Sequence, residues 1–98
     1  MRTLLQIELD TEATNKLFGT GAAQQTMSEL VGSLKPEAAY FYPMNGHRAM
    51  TLVVDLPDES AIVTACEPFW LNLHARVTAV PCMTAEELAG GIGRLPSA

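Results

Sequence analysis

The chain has 98 residues, 48% hydrophobic and 17% charged, the composition of one globular domain spanning residues 1–98 rather than a disordered segment. A formal charge of −5, with six basic residues scattered along the chain, weighs against nucleic acid, which needs Lys and Arg clustered on one face. No apolar run approaches the roughly 20 residues that span a bilayer, and "MRTLLQIELD" lacks the apolar region and cleavage site of a signal peptide, so a cytoplasmic protein with no membrane partner is expected.

"RTLLQIELD" alternates, with Leu5, Ile7 and Leu9 on one side and Leu4, Gln6 and Glu8 on the other. That pattern predicts a strand with one dry and one mixed face. Asp10, Thr11 and Glu12 supply capping oxygens and negative charge for a helix start. Ala23, Met27, Leu30, Val31 and Leu34 then recur at helical spacing. Gly19 and Gly21 interrupt this region, so two helical pieces are expected, the second ending at Lys35-Pro36.

"AAYFYPMNGHRAMTLVVDL" reads as two strands joined by Asn45-Gly46, the residues a type I′ turn demands. A two-residue turn sets Met44 opposite His47, Tyr42 opposite Ala49, Phe41 opposite Met50, Tyr40 opposite Thr51 and Ala39 opposite Leu52. Phe41, Met50, Leu52 and Val54 make the core face. Tyr40, Tyr42, Ala49, Thr51 and Val53 make a mixed one.

"PDESAIVTACEPFW" predicts a helix opened by Pro57 and its two following acids, with Ile62, Ala65, Cys66 and Phe69 as its inner stripe. Pro68 is expected to kink or end it. "ARVTAVPCM" predicts a fourth strand that points Arg76, Thr78 and Val80 to one side, with Pro81 marking an edge or an end. Thr84 and Glu87 have capping-box spacing, which predicts a short last helix closed by Gly90, Gly91 and Gly93.

The order β-α-β-β-α-β plus a terminal helix predicts an α+β, ferredoxin-like fold: a four-stranded antiparallel sheet with helices on one face. The second face would hold Leu4, Gln6, Glu8, Tyr40, Tyr42, Ala49, Thr51, Val53, Arg76, Thr78 and Val80. It is too apolar for water and too polar for a dry core, which points to an interaction surface. A homodimer through the sheet face, or a cavity holding a small molecule, would cover it.

"EATNKL", "KPEAAYF", the Gly-His-Arg after the turn, "VVDL", "EPFWLNLHARV" and "PCM" resemble a group of small bacterial proteins of the dimeric α+β barrel superfamily. The resemblance spans nearly the whole chain and implies protomers that dimerise sheet to sheet into an α+β barrel. The superfamily includes cofactor-independent monooxygenases, isomerases, haem-handling enzymes and stress-response proteins. The monooxygenases use Asn, Trp, Tyr or His in their pockets, and Asn15, Trp70, Tyr40 and His47 are of those types, without a catalytic set that maps here.

Candidate ligand-binding residues are therefore Tyr40, Tyr42, Trp70, Glu8, Arg76 and Asn15. Tyr and Trp offer flat area with a polar tip, although interface or core packing is the commoner use of each. Glu8 and Arg76 are expected to be neighbours, as an ion pair in preference to an anion site or a base. Asn15 is a poor helix former that marks a polar contact or the helix break. His47 and His74 have no metal or haem spacing, and surface or structural roles are expected for both. Cys66 and Cys82 read as free thiols. "GTGAA" lacks the Gly-Lys-Ser/Thr ending of a phosphate loop. No metal and no cofactor are expected. The expected function is a homodimer that binds a small apolar or aromatic molecule. A cofactor-independent monooxygenase or isomerase acting on a quinol- or polyphenol-like substrate is the alternative, and a purely structural interaction module is a third.

Overall fold

A computed structural model describes residues 1–97. The elements run β1 (Arg2–Glu8), α1 (Thr11–Gly19), α2 (Ala23–Gly32), β2 (Ala38–Met44), β3 (His47–Asp55), α3 (Ala61–Leu73), β4 (Arg76–Pro81) and α4 (Ala85–Gly93). The four strands form one antiparallel sheet in the order β2-β3-β1-β4. β1 and β2 flank β3, and β3 and β4 flank β1, so two strand-helix-strand crossovers interleave. This α+β architecture is consistent with a ferredoxin-like fold.

The alternation in β1 does what period-two geometry requires. Leu5, Ile7 and Leu9 are buried, while Leu4, Gln6 and Glu8 are half-buried on the open face. Met50, Leu52 and Val54 of β3 join the buried set. α3 closes the core with Ala65, Cys66, Phe69 and Leu73. Burial pushes the Cys66 thiol up, and both cysteines are free. α2 has no buried residue, and Met27, Leu30 and Val31 only flank the core.

The hairpin pairs as its turn demands. Met44 faces His47, Tyr42 faces Ala49, Phe41 faces Met50, Tyr40 faces Thr51 and Ala39 faces Leu52. Asn45 and Gly46 both have positive φ, 53° and 78°, as a type I′ turn needs. The Asp10 carboxylate caps α1 by accepting from the Ala13 N–H at 2.9 Å. The chain breaks between α1 and α2 at Thr20–Ala22, where Gly21 takes φ 78°.

The expected start of α3, and its expected end at Pro68, need correction. The helix starts at Ala61, not at Pro57, because Asp58 folds its carboxylate back onto the Ser60 hydroxyl and the Ala61 N–H. These bonds hold the Asp58 carboxyl below its ordinary range. Pro68 neither ends the helix nor stops it short of Leu73. Its missing donor leaves the Thr64 carbonyl unpaired in the helix, but Thr64 is exposed, and burial of Phe69 and Leu73 beyond the proline holds the last turns on the core. His74 then ends the helix in the left-handed region, at φ 47°.

α4 has its full capping box: Glu87 N–H donates to the Thr84 hydroxyl at 3.1 Å, and Thr84 N–H donates to the Glu87 carboxylate at 2.8 Å. Arg2 straps the helix start to the sheet, donating from Nη1 to Glu87 and from Nε to Glu37 at 2.6 Å.

Phe69→Ala should lower the free energy of unfolding by about 3–5 kcal/mol in a urea titration, the usual cost of an emptied aromatic core site. The Glu87 carboxyl is held below its ordinary 4.5, chiefly by the Thr84 amide and hydroxyl and less by Arg2. Its folded value is thus depressed, so its contribution is present above pH 4.5 and lost as pH falls through the folded value. The Thr84 amide resonance should follow that titration, with a midpoint below that of the Glu87 carboxyl in an unfolded peptide of the same segment.

Candidate functional site

A cleft of about 760 Å³ lies between the β2–β3 hairpin and the helix pair α1–α2. That volume is in the range of small-molecule sites. It exists because the chain breaks after α1 instead of continuing as one helix. Thr20 closes the break locally, donating its hydroxyl to the Leu17 carbonyl at 2.7 Å and accepting from the Ala22 N–H at 3.2 Å. The helices therefore leave the end of the hairpin uncovered. Phe41, on the helix side of β2, is 61% exposed, and Phe18 of α1 is 46% exposed. Both line the cleft, with Leu9, Met27 and Met50 as further apolar wall.

Arg48 supplies the polar end. It occupies a helix-facing position of β3, in alternation with Met50 and Leu52. Its Nη1 donates to the Thr14 hydroxyl at 2.7 Å and to the Asn15 side-chain Oδ1 at 3.0 Å. The guanidinium carbon lies 4.3 Å from the centroid of the Phe18 ring, a cation–π contact. Thr14 is fully buried and uses its own proton on the Asp10 carbonyl at 2.8 Å, so its oxygen is committed to receiving Arg48. This network fixes the guanidinium plane while Nε and Nη2 form no hydrogen bond among the described residues.

His47 stands beside it. Its Nδ1 is 2.8 Å from the Thr11 hydroxyl, and its Nε2 is 3.8 Å from the Glu8 carboxylate. Both His47 and Thr11 line the cleft. His47 also lines a smaller polar hollow of about 370 Å³ with Glu8, His74 and Arg76. Among the described residues, no group of three or more His, Cys, Asp or Glu could hold a metal ion.

The six residues singled out from sequence are spread over several places. Asn15 and Tyr42 line the large cleft, while Glu8 and Arg76 line the polar hollow. Tyr40 is 70% exposed on β2 and Trp70 is 39% exposed on the outside of α3, and neither lines the cleft. Trp70 turns outward because the preceding Phe69 takes the core position, and successive helical residues point about 100° apart. Glu8 and Arg76 do occupy paired register positions, but the expected ion pair is not among those of the described residues. Glu8 is turned instead toward His47 on the other flanking strand.

Arg48 entered the sequence reading only within the Gly-His-Arg after the turn and was given no role, and Phe18 was not singled out. A signal was there: continuing the dry face of β3 backward from Val54, Leu52 and Met50 arrives at Arg48, a cation where a core residue belongs. Tyr42 bonds its phenol to the Thr51 hydroxyl across the hairpin, which ties it to the open face as well as to the cleft wall.

No family model matches the chain, and no curated protein matches it significantly. No helix among the described residues is long and apolar enough to cross a membrane.

Thr14→Val should cost about 1–3 kcal/mol of stability, because it removes the acceptor that Arg48 reaches in a buried position. Urea unfolding of the variant measures it, and an unchanged midpoint would show that the network is not holding the guanidinium.

Proposed function

We propose that this protein is a homodimer of ferredoxin-like protomers joined through their open sheet faces, as in the dimeric α+β barrels. Each protomer binds a small aromatic or apolar molecule in the cleft between hairpin and helices. The ligand carries a carboxylate or another strong acceptor group. The observation behind this reading is Arg48: a guanidinium held in place over Phe18 by Thr14 and Asn15, with Nε and Nη2 unpaired among the described residues, at the end of an apolar cleft. A charged donor with its orientation already set binds an anion at little entropic cost. Phe18 and Phe41 provide the area for a flat ligand body. The mixed open face supports the sheet-to-sheet dimer: Tyr40 and Val80 stand exposed there beside half-buried Leu4 and Val53. Two free cysteines suit a reducing, cytoplasmic setting.

A second reading is a cofactor-independent monooxygenase or isomerase acting on a quinol- or polyphenol-like substrate in the same cleft. It is favoured by the presence of Asn15, Tyr42 and His47 around one apolar space.

The test is a thermal melt with 2-naphthoate and with 2-naphthol as probes, followed by a turnover assay on a naphthoquinol. Naphthoate should raise the melting temperature by several degrees at saturation, since a ligand at a hundredfold its Kd adds about 2.7 kcal/mol. Arg48→Met should weaken naphthoate roughly 10- to 100-fold, the worth of one charged hydrogen bond, and change naphthol little. No shift with either probe would sink the binding reading. Oxidation of the quinol, lost in His47→Gln or Asn15→Ala, would establish the enzymatic one.

A further inference from the structure

α4 is anchored firmly at its start and covered nowhere along its length. The capping box, the Arg2 bond to Glu87 and the Cys82 N–H to Arg2 carbonyl bond at 3.1 Å fix the direction in which it leaves the sheet. Yet no residue of the helix is buried. Leu88, Ile92 and Leu95 recur at helical spacing and are 50%, 56% and 67% exposed, with Met83 before them at 62%. A helix this short is marginal in water without packing, since isolated helices below roughly 12–15 residues rarely persist.

The shape of the chain shows the same thing. The principal extents are 60 × 27 × 18 Å and the radius of gyration is 16.0 Å, against about 13 Å for a compact domain of this length. The longest strand, β3, runs about 30 Å end to end, so much of the long axis lies beyond the sheet. The chain exposes 6516 Å² of surface. A compact monomer of its 10.6 kDa would expose roughly 5,500 Å². The surplus, on the order of 1,000 Å², is what one partner of a standard stable interface buries, about 800 Å².

We infer that α4 is an arm that packs on a second copy of this chain, laying Leu88 and Ile92, with Leu95 just past its end, over the margin of the partner's open face beyond the area where the two sheets meet. This rests on the homodimer reading above. The second copy is the occupant that these numbers fit: the surplus area of each chain matches its share of a dimer interface. Arg2 also places the arm on the correct side, because it alternates with Leu4 and Gln6 and so belongs to the open face of the sheet. Two protomers stacked by those faces, with sheets about 10 Å apart, would each extend an arm past the end of their own sheet and over their partner's. The arms would clasp the dimer and bury Met83, Leu88, Ile92 and Leu95, which the single chain leaves in water.

Sedimentation equilibrium across a dilution series, on the full-length protein and on Leu88→Glu/Ile92→Glu, tests this. Both residues lie outside the core, so the variant should keep the wild-type circular dichroism and protomer fold. Wild type should be dimeric, and the variant's dimer Kd should rise roughly a hundredfold or more, the equivalent of two apolar side chains left unburied. A dimeric wild type with an unchanged Kd in the variant overturns the arm and leaves the sheet-face dimer standing. A wild type that is monomeric at every concentration removes the dimer and the arm together. If the variant does not fold, amide hydrogen exchange on wild type decides: protection at Leu88 and Ile92 that disappears on dilution supports the arm, and absence of protection in the dimer overturns it.

Discussion

The pairing of β1 with β3, sealed on one side by α3, is the constraint on which the rest of the molecule depends. Leu5, Ile7, Met50 and Leu52 from these central strands meet Cys66 and Phe69 in a core with almost no solvent access. A slip of β1 by one residue would turn Leu5 and Ile7 to the open face and bring Gln6 and Glu8 onto the core side. The hydrophobic pattern thus opposes every slip by an odd number of residues, and the outer strands β2 and β4 pair onto these two.

The cleft follows from what this core does not include. α3 satisfies the dry face over the middle of the sheet, and α1 and α2 contribute only one fully buried side chain between them, Thr14. The hairpin end, with Phe41 and Arg48, therefore lies beyond the reach of the core. A guanidinium could not be tolerated a few residues further along β3, where Leu52 and Val54 are sealed. At the hairpin end it is held by polar groups of α1 and by an aromatic face, and it remains open to whatever enters. The cation and the incomplete helical cover are two sides of one arrangement.

The same chain exposes a second surface of mixed character. The open sheet face and α4 are built from residues of mixed character, and each is fixed in position by specific bonds: Tyr42 to Thr51 across the hairpin, Arg2 to Glu37 and Glu87 at the other end. Such bonds make a surface definite without burying it. The exposed area of the chain exceeds that of a compact monomer of its mass, and the cleft lies between hairpin and helices, away from the open sheet face and α4.

Local chemistry determined much of this protein from the sequence alone. The period-two runs at 2–9, 47–54 and 76–81, the Asn45-Gly46 turn, the glycine break and the Thr84–Glu87 box each act over a few residues, and each specifies one backbone geometry with little competition. The tertiary structure decided the rest, because it turns on which groups from distant segments compete for the same space. Pro68 stayed inside a helix since the core beyond it outweighs one lost hydrogen bond. Trp70 yielded the interior to Phe69, Glu8 turned from its register partner Arg76 toward His47, and Arg48 became the center of the candidate site only when Thr14, Asn15 and Phe18, more than thirty positions away in the chain for two of them, were folded against it. Spacing along a chain cannot report such a meeting, since it depends on where α1 stops and on how far α3 reaches over the sheet.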